Sequence, residues 1–260
     1  MSIENNTSLD HLMRELKLPG MRARHQELAH TAERQGWSFA QYLHQLAEGE
    51  LEGRQARRIE RLLASSKLPS EKSLRMLELG RFDAQVRRRL PVLCEGHFVK
   101  RGENVLVFGL PGRGKTHLVC AIGHELIRKG FAVRFSPTFR LVEHLLAARR
   151  DYRLEAELKA LDHYDVVILD DLGYVQQSRE EMEVLFTFLA QRYERKSVMI
   201  TSNLVFSQWD QIFKDPMTTA AAIDRLVHHA TIVELTGESY RNEMAQQRQS
   251  QQALQTEPAD

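Results

Sequence analysis

The chain has 260 residues, of which 42% are hydrophobic and 27% are charged, and its formal net charge is +1. This length allows one α/β domain together with a smaller appendage. The near-neutral charge excludes a uniformly basic nucleic-acid binder, so any binding to DNA would need a local basic patch.

Two features of the sequence bear on its compartment. Residues 1–10, MSIENNTSLD, lack the basic and apolar regions of a secretory signal, and no stretch approaches the roughly 18 apolar residues of a membrane helix. Cys94 and Cys120 form no CxxC motif, so we expect two reduced structural thiols. The sequence therefore predicts a cytoplasmic protein with no membrane partner.

The first third of the chain is predicted to be helical. Apolar residues recur at helical spacing over 9–17, 21–35 and 38–66, with Leu18-Pro19-Gly20 as the first break. Gly49–Gly53 is a candidate interruption of the third helix. These patterns predict a small all-helical domain over 1–66, used for interaction or assembly.

The next segment, 67–101, is predicted to be a basic connector. Residues 71–101 contain eight Lys or Arg against four Asp or Glu, and Arg87, Arg88 and Arg89 are contiguous. At the other end of the chain, residues 245–260 are rich in Gln without apolar periodicity, which is typical of a disordered tail.

Short apolar runs alternate with helical patterns over 102–244. The predicted strands are Val105–Phe108, Ala132–Phe135, Val166–Leu169, Val198–Thr201 and Thr231–Leu235. The predicted helices between them cover 115–129, 138–149, 179–194 and 218–229. Buried β-branched runs separated by helices indicate an α/β fold with a five-stranded parallel sheet covered on both faces.

A phosphate-binding motif follows the first of these strands. The residues from Gly109 to Thr116 fit G-x-x-x-x-G-K-[ST], between a strand and a helix, as the motif requires. Lys115 would reach the β- and γ-phosphates, and the Thr116 hydroxyl would coordinate Mg²⁺. Nucleotide contacts are predicted for Gly109, Leu110, Pro111, Gly112, Arg113, Gly114, Lys115, Thr116 and His117.

Polar residues end two further strands at the same predicted edge of the sheet. Asp170 is expected to bind Mg²⁺, and Asp171 to orient the attacking water. Asn203 would contact the γ-phosphate or that water, with a plain turn residue as the alternative. Because N-K-x-D, the guanine-reading motif, is absent from the sequence, ATP is favoured over GTP.

Two arginines in the last part of the chain could act on the γ-phosphate. Arg225 could reach the nucleotide of a neighbouring subunit, although a surface arginine paired with Asp224 is the alternative. Arg241, in Gly237-Glu-Ser-Tyr-Arg241, could contact the γ-phosphate within the same chain, but this motif is weak by itself.

Six ordered segments carry a family resemblance, GLPGRGKTHL, VVILDDLGY, RYERKSVMITSN, FSQWDQIFKDP, AAAIDRLVHH and LTGESYR. Together with LKLPGM in the helical front, they resemble the IstB family of insertion-sequence transposition helper ATPases, relatives of DnaC-type helicase loaders, over about residues 9–243. The resemblance implies an AAA+ P-loop core. It also implies an arginine finger at Arg225, a sensor 2 arginine at Arg241 and a sensor 1 residue at Asn203.

The same resemblance implies partners. It implies binding to double-stranded DNA, ATP-promoted assembly into a homo-oligomer, and a cognate transposase that stimulates hydrolysis. A helicase loader and a nucleotide-switched binding module with negligible turnover remain the alternative functions. A small-molecule kinase is disfavoured because no lid or acceptor-binding pattern is evident.

The chain departs from the family pattern at two positions. Asp171 stands where the family usually has Glu, and a carboxylate shorter by one methylene predicts slow hydrolysis. Arg113 occupies a phosphate-loop position usually filled by a small residue, where it would either add phosphate affinity or clash.

Two basic clusters are candidates for the DNA contact that the resemblance implies. One comprises Arg87–Arg89, and the other comprises Arg149, Arg150 and Arg153 with Tyr152 between them. Arginine interleaved with an aromatic residue suits phosphate contact and packing, so we favour the second cluster. Solvated helix faces are the alternative for both.

Overall fold

The computed structural model describes residues 3–173, 178–204, 208–209, 216–237 and 239–240. For residues 3–7, 216–219 and 221–222 it describes the backbone alone. The chain divides into two compact units, Met1–Arg61 and Leu62–Asp260. The division falls within a helix that ends at Ser66, the predicted end of the helical domain. The predicted tail, 245–260, lies outside the described residues.

The first unit is helical, as predicted. Its helices are α1 (Ile3–Glu15), α2 (Pro19–Gln35) and α3 (Phe39–Ser66). The helix α3 continues through Gly49–Gly53 without the interruption that these glycines suggest. Between these glycines, the buried carboxylate of Glu50 accepts the backbone N–H groups of Gly20 and Met21 at 2.6 and 3.1 Å. Glu50 thereby caps the start of α2, where Leu18 offers no side-chain cap.

The second unit contains the predicted parallel sheet. Its strands are β1 (Asn104–Phe108), β2 (Val133–Pro137), β3 (Val166–Leu172), β4 (Ser197–Ser202) and β5 (Ala230–Glu234). Their order in the sheet is β2-β3-β4-β1-β5, and every pairing is parallel. All five residues of β1 are buried. This arrangement confirms the predicted α/β fold.

Helices flank the sheet on the pattern predicted from the sequence. They are α6 (Lys115–Arg128), α7 (Thr138–Arg150), α8 (Leu154–Leu161), α9 (Arg179–Arg192) and α10 (Pro216–Val227). The sequence did not predict α8. None of the helices in the described ranges is long and apolar enough to cross a membrane. Cys94 and Cys120 are buried and form no disulfide.

The predicted connector is largely folded. It contains α4 (Ala84–Glu95), α5 (His97–Lys100) and two 3₁₀ turns, Leu74–Met76 and Leu79–Arg81. Asp83 caps α4 by accepting the backbone N–H of Val86 at 2.8 Å. Val86, Leu90 and Leu93 form its buried face at helical spacing, and α4 packs against α6. The run of arginines concealed this amphipathic pattern, because it occupies the exposed side of the same helix.

The strand order brings three loops together. In the sheet, β1 lies beside β4, and β4 lies beside β3, so all three end at one edge. In register, Phe108 at the end of β1 pairs with Ser202 at the end of β4. Gly109 and Asn203, which follow β1 and β4, therefore meet Asp170, which lies near the end of β3, at the carboxyl edge of the sheet.

Candidate functional site

The phosphate loop connects β1 to α6, and glycines give it its shape. Gly112 and Gly114 have φ of 80° and 85°, values that disfavour residues with a Cβ. A Cβ on Gly112 would also overlap the Ser239 hydroxyl. Immediately after the loop, α6 begins at Lys115, so its unpaired N–H groups and partial positive charge face the loop. This geometry suits a bound phosphate group.

Lys115 is 5% exposed and its ammonium contacts neutral oxygens. Its Nζ donates to the carbonyls of Gly109 and Leu110 at 2.7 and 3.1 Å, and to Asn203 Oδ1 at 2.5 Å. These three contacts hold the ammonium between the phosphate loop and the end of β4, where a bound phosphate group would lie. The structure thus brings together two of the predicted catalytic residues, from β1–α6 and from the end of β4.

Thr116 and Asp170 form an oxygen-rich pair. Thr116 Oγ1 lies 2.9 and 3.1 Å from the two carboxylate oxygens of Asp170, which is 9% exposed. Two other threonines fix this aspartate. Thr201 Oγ1 donates to its Oδ1 at 2.7 Å, and Thr138 Oγ1 donates to its backbone carbonyl at 2.9 Å. Hydroxyl and carboxylate oxygens are the ligands that Mg²⁺ prefers, so these residues fit the predicted ion.

A β-bulge separates the roles of the two consecutive aspartates. Leu169 pairs with Ile200 and Leu172 with Ser202, so β3 contains one residue more than β4 at this point. Asp171 has φ of 58°, and its backbone N–H donates to Thr201 Oγ1 at 2.8 Å. As a result, Asp170 is directed at Thr116 while the exposed Asp171 lines the adjoining cavity.

The cavity has a volume of about 330 Å³ and extends from the phosphate loop to residues 72–82, which precede α4. Leu77 and Phe82 supply apolar surface, and the Arg81 guanidinium lies 4.8 Å from the centroid of the Tyr240 ring. An apolar wall with a stacked cation suits a flat aromatic base. This wall could not be predicted from the sequence, because the 3₁₀ turns that form it carry no motif.

Two predicted nucleotide contacts also bond to neighbouring segments. His117 lines the cavity, and its Nε2 lies 3.2 Å from the Ser73 carbonyl oxygen. Arg113 lines the cavity too and donates from Nη1 to the carbonyl of Leu235 at 3.0 Å. Arg113 therefore connects the phosphate loop to the end of β5.

The structure does not bring Arg225 to the cavity. Its guanidinium lies 4.9 Å from the ring centroid of Phe186 on α9. The end of α10 is fixed to the start of β1, because Asn104 Nδ2 donates to the Leu226 carbonyl at 3.2 Å. Lys115 follows the other end of β1, about 13 Å along the strand. Arg225 thus lies near the amino ends of the strands, and Lys115 lies near their carboxyl ends.

Arg241 lies outside the described residues. The preceding residue, Tyr240, donates its backbone N–H to the Gly112 carbonyl at 3.0 Å. The segment that leads to Arg241 therefore contacts the phosphate loop.

The two basic clusters differ in their contacts. Arg87, Arg88 and Arg89 are exposed on α4, and Arg89 Nη1 donates to the Ile232 carbonyl at 2.7 Å. In the second cluster, Arg149 and Arg153 pair with Glu183 and Asp151 at 3.1 and 2.8 Å. Arg150 is exposed, and the neighbouring Tyr152 is 99% exposed with φ of 57°.

Comparison with known proteins adds sequence evidence to this geometry. Residues 11–250 match the model of the IstB-like ATP binding protein family. An insertion-sequence ATP-binding protein of Sinorhizobium fredii is 43% identical over 90% of this chain and 79% of its own length. The IS21 ATP-binding protein of Pseudomonas aeruginosa is 36% identical over 90% of this chain and 88% of its own.

A solved structure is similar in fold. The crystal structure of the DnaC helicase loader aligns with a TM-score of 0.52 and 21% identity. The alignment covers 58% of this chain and 89% of that one. This similarity shows the AAA+ fold.

Proposed function

The chain belongs to the IstB-like ATP-binding protein family of insertion sequences, and from this we propose that it is a Mg²⁺-dependent ATPase that assists a transposase on double-stranded DNA. The observation that carries the ATPase activity is the contact of Thr116 with Asp170 beside the Lys115–Asn203 pair. These four side chains come from three chain segments and supply a cation, metal ligands and an amide at one edge.

The protein groups divide the chemistry of hydrolysis between them. The loop amides and Lys115 bind the phosphates and stabilise the charge that develops on the leaving oxygen. Thr116 and Asp170 would hold Mg²⁺, which would neutralise further charge on the phosphates. Asp171 orients the attacking water and acts as a general base that accepts a proton from it, while Asn203 positions the γ-phosphate or that water.

The position of Arg225 supports the proposed homo-oligomer. If this residue acts on a γ-phosphate, the phosphate belongs to another subunit, because its own phosphate loop lies beyond the opposite end of β1. Stacking on Phe186 would keep the guanidinium presented at the surface. Assembly would then complete each catalytic site.

We place the DNA contact at Arg149, Arg150 and Arg153. Glu183 and Asp151, which pair with Arg149 and Arg153, are exposed, so phosphates can displace these weak pairs. The fully exposed Tyr152 supplies an aromatic surface within the cluster. An Arg149→Ala/Arg150→Ala variant should bind DNA more weakly, and the logarithm of its binding constant should fall less steeply with the logarithm of the salt concentration. Unchanged binding would mean that the contact lies elsewhere.

A nucleotide-switched binding module is the second candidate, and Asp171 favours it. The short carboxylate can leave the attacking water poorly positioned, so that ATP binding would control assembly with little turnover. The two functions share the same nucleotide site and differ in the rate of hydrolysis.

ATP turnover and assembly on double-stranded DNA test the proposal in the wild type, Lys115→Ala and Arg225→Ala. We expect Lys115→Ala to lose ATP binding, and Arg225→Ala to bind ATP without hydrolysing it. Mixing the two variants should restore some turnover, since the arginine of one subunit would complete the site of another. If DNA neither assembles the protein nor changes its turnover, the DNA role is wrong. Tight binding without turnover in the wild type would favour the switch.

A further inference from the structure

Three potential metal ligands lie together at the edge of the sheet opposite the nucleotide cavity. Glu194 Oε1 is 4.0 Å from His228 Nδ1 and 3.6 Å from His229 Nε2. One donor atom of each residue lies within 4.8 Å of the other two. Within the described part of the chain, this is the one group of three or more such side chains close enough to share an ion.

The backbone fixes these residues. His228 and His229 join α10 to β5, where the His228 N–H donates to the Asp224 carbonyl and the Asn104 N–H donates to the His229 carbonyl, at 2.9 and 2.8 Å. Glu194 follows α9 with φ of 55°. The two imidazole rings have centroids 4.1 Å apart. Two separate elements thus present their donors to one point.

Two imidazoles and a carboxylate are the donor set that transition metals, and Zn²⁺ in particular, bind readily. A tetrahedral Zn²⁺ with bonds of about 2.0–2.1 Å requires donors roughly 3.3–3.4 Å apart. The two pairs that include Glu194, at 4.0 and 3.6 Å, therefore need to approach by about 0.7 Å or less, and the two histidine donors by about 1.5 Å at most. The side chains of all three are half exposed, which leaves room for a solvent ligand. His228 Nδ1 would exchange its 3.0 Å contact with the Tyr193 hydroxyl for a bond to the ion.

We propose that Glu194, His228 and His229 bind a transition-metal ion of the Zn²⁺ type. The ion would connect the end of α9 to the junction of α10 and β5. Arg225 lies on α10, three residues before His228, and stacks on Phe186 of α9. Metal binding would therefore stabilise the pair of helices that presents this arginine. This site is independent of the nucleotide site, and its test does not depend on the proposed function.

Titration calorimetry with ZnCl₂ on untagged, chelator-treated full-length protein tests the site. We expect one Zn²⁺ per chain with micromolar or tighter affinity, and a rise in the unfolding temperature on binding. His228→Ala and His229→Ala should each weaken binding by at least about tenfold. Co²⁺ in place of Zn²⁺ should give the visible absorption of a tetrahedral complex.

His144→Ala is the matched control. His144 Nε2 lies 2.9 Å from Glu157 Oε2 and is 57% exposed, so it forms a similar exposed pair outside the proposed cluster. Binding should be unchanged in this variant, and ATP binding should be unchanged in all of them, which would show that they fold. The proposal is overturned if the wild type takes up no Zn²⁺ in the micromolar range. It is also overturned if the His228 and His229 variants bind as tightly as the wild type.

Discussion

The Thr201→Val substitution removes a hydroxyl that connects the two aspartates at the end of β3. Thr201 is fully buried, and its Oγ1 donates to Asp170 Oδ1 at 2.7 Å and accepts the Asp171 N–H at 2.8 Å. Valine has a similar shape and makes neither bond. The variant therefore tests whether this hydroxyl maintains the bulge that separates the aspartates.

The size of the effect follows from the two bonds. Leaving the Asp171 N–H without this acceptor costs about 1–3 kcal/mol, and a bond to a charged group contributes about 1.5–3 kcal/mol. We expect stability to fall by about 2–4 kcal/mol, since such terms are not fully additive. If half of this loss appears as misplacement of the carboxylates in the transition state, turnover falls roughly 5–30-fold. ATP affinity should change little, because Lys115 and the phosphate loop are untouched.

Single-turnover hydrolysis, ATP binding and thermal unfolding measure these effects separately. Thr187→Val is the matched control, because the exposed Thr187 hydroxyl donates only to a carbonyl of its own helix, that of Glu183, at 2.7 Å. It should alter none of the three. Unchanged hydrolysis at lowered stability would show that the Thr201 hydroxyl serves the fold alone. Unchanged stability would refute the hydrogen-bond argument itself.

Three other substitutions test further features. Asp171→Glu should raise turnover by roughly tenfold if the carboxylate is too short, and steady-state ATPase assays would show no gain if it is not. Arg81→Ala should weaken ATP binding by roughly tenfold by removing the stacked cation, measured with a fluorescent ATP analogue. Glu50→Gln should destabilise the first unit by about 2–4 kcal/mol, seen as faster amide exchange in α2, whereas the exposed Glu52→Gln should not. Burial raises the pKa of Glu50, but hydrogen bonds from Arg54 and from the first amides of α2 lower it overall. The ionised Glu50 therefore stabilises the first unit above the usual carboxyl pKa, and this stabilisation is lost as the pH falls through the lowered pKa.

The fold class and the phosphate-loop motif can be predicted from local sequence patterns. Buried strands separated by helices have periodicities that depend on neighbouring residues only, and G-x-x-x-x-G-K-T specifies backbone geometry over eight residues. The same local logic placed Asp170 and Asn203 at strand ends, and strand ends converge in any parallel sheet.

The way in which the site is completed depends on contacts between distant parts of the chain. The bulge at Asp170–Asp171 depends on register between β3 and β4, and the Thr201 hydroxyl reaches the aspartates across that pairing. The apolar wall of the cavity comes from residues 76–82, which meet the phosphate loop more than 25 residues later in the chain. The grouping of Glu194 with His228 and His229 has the same origin. Such contacts join segments that are far apart in the sequence. The distances between their side chains depend on how the whole unit packs, so no local sequence pattern predicts them.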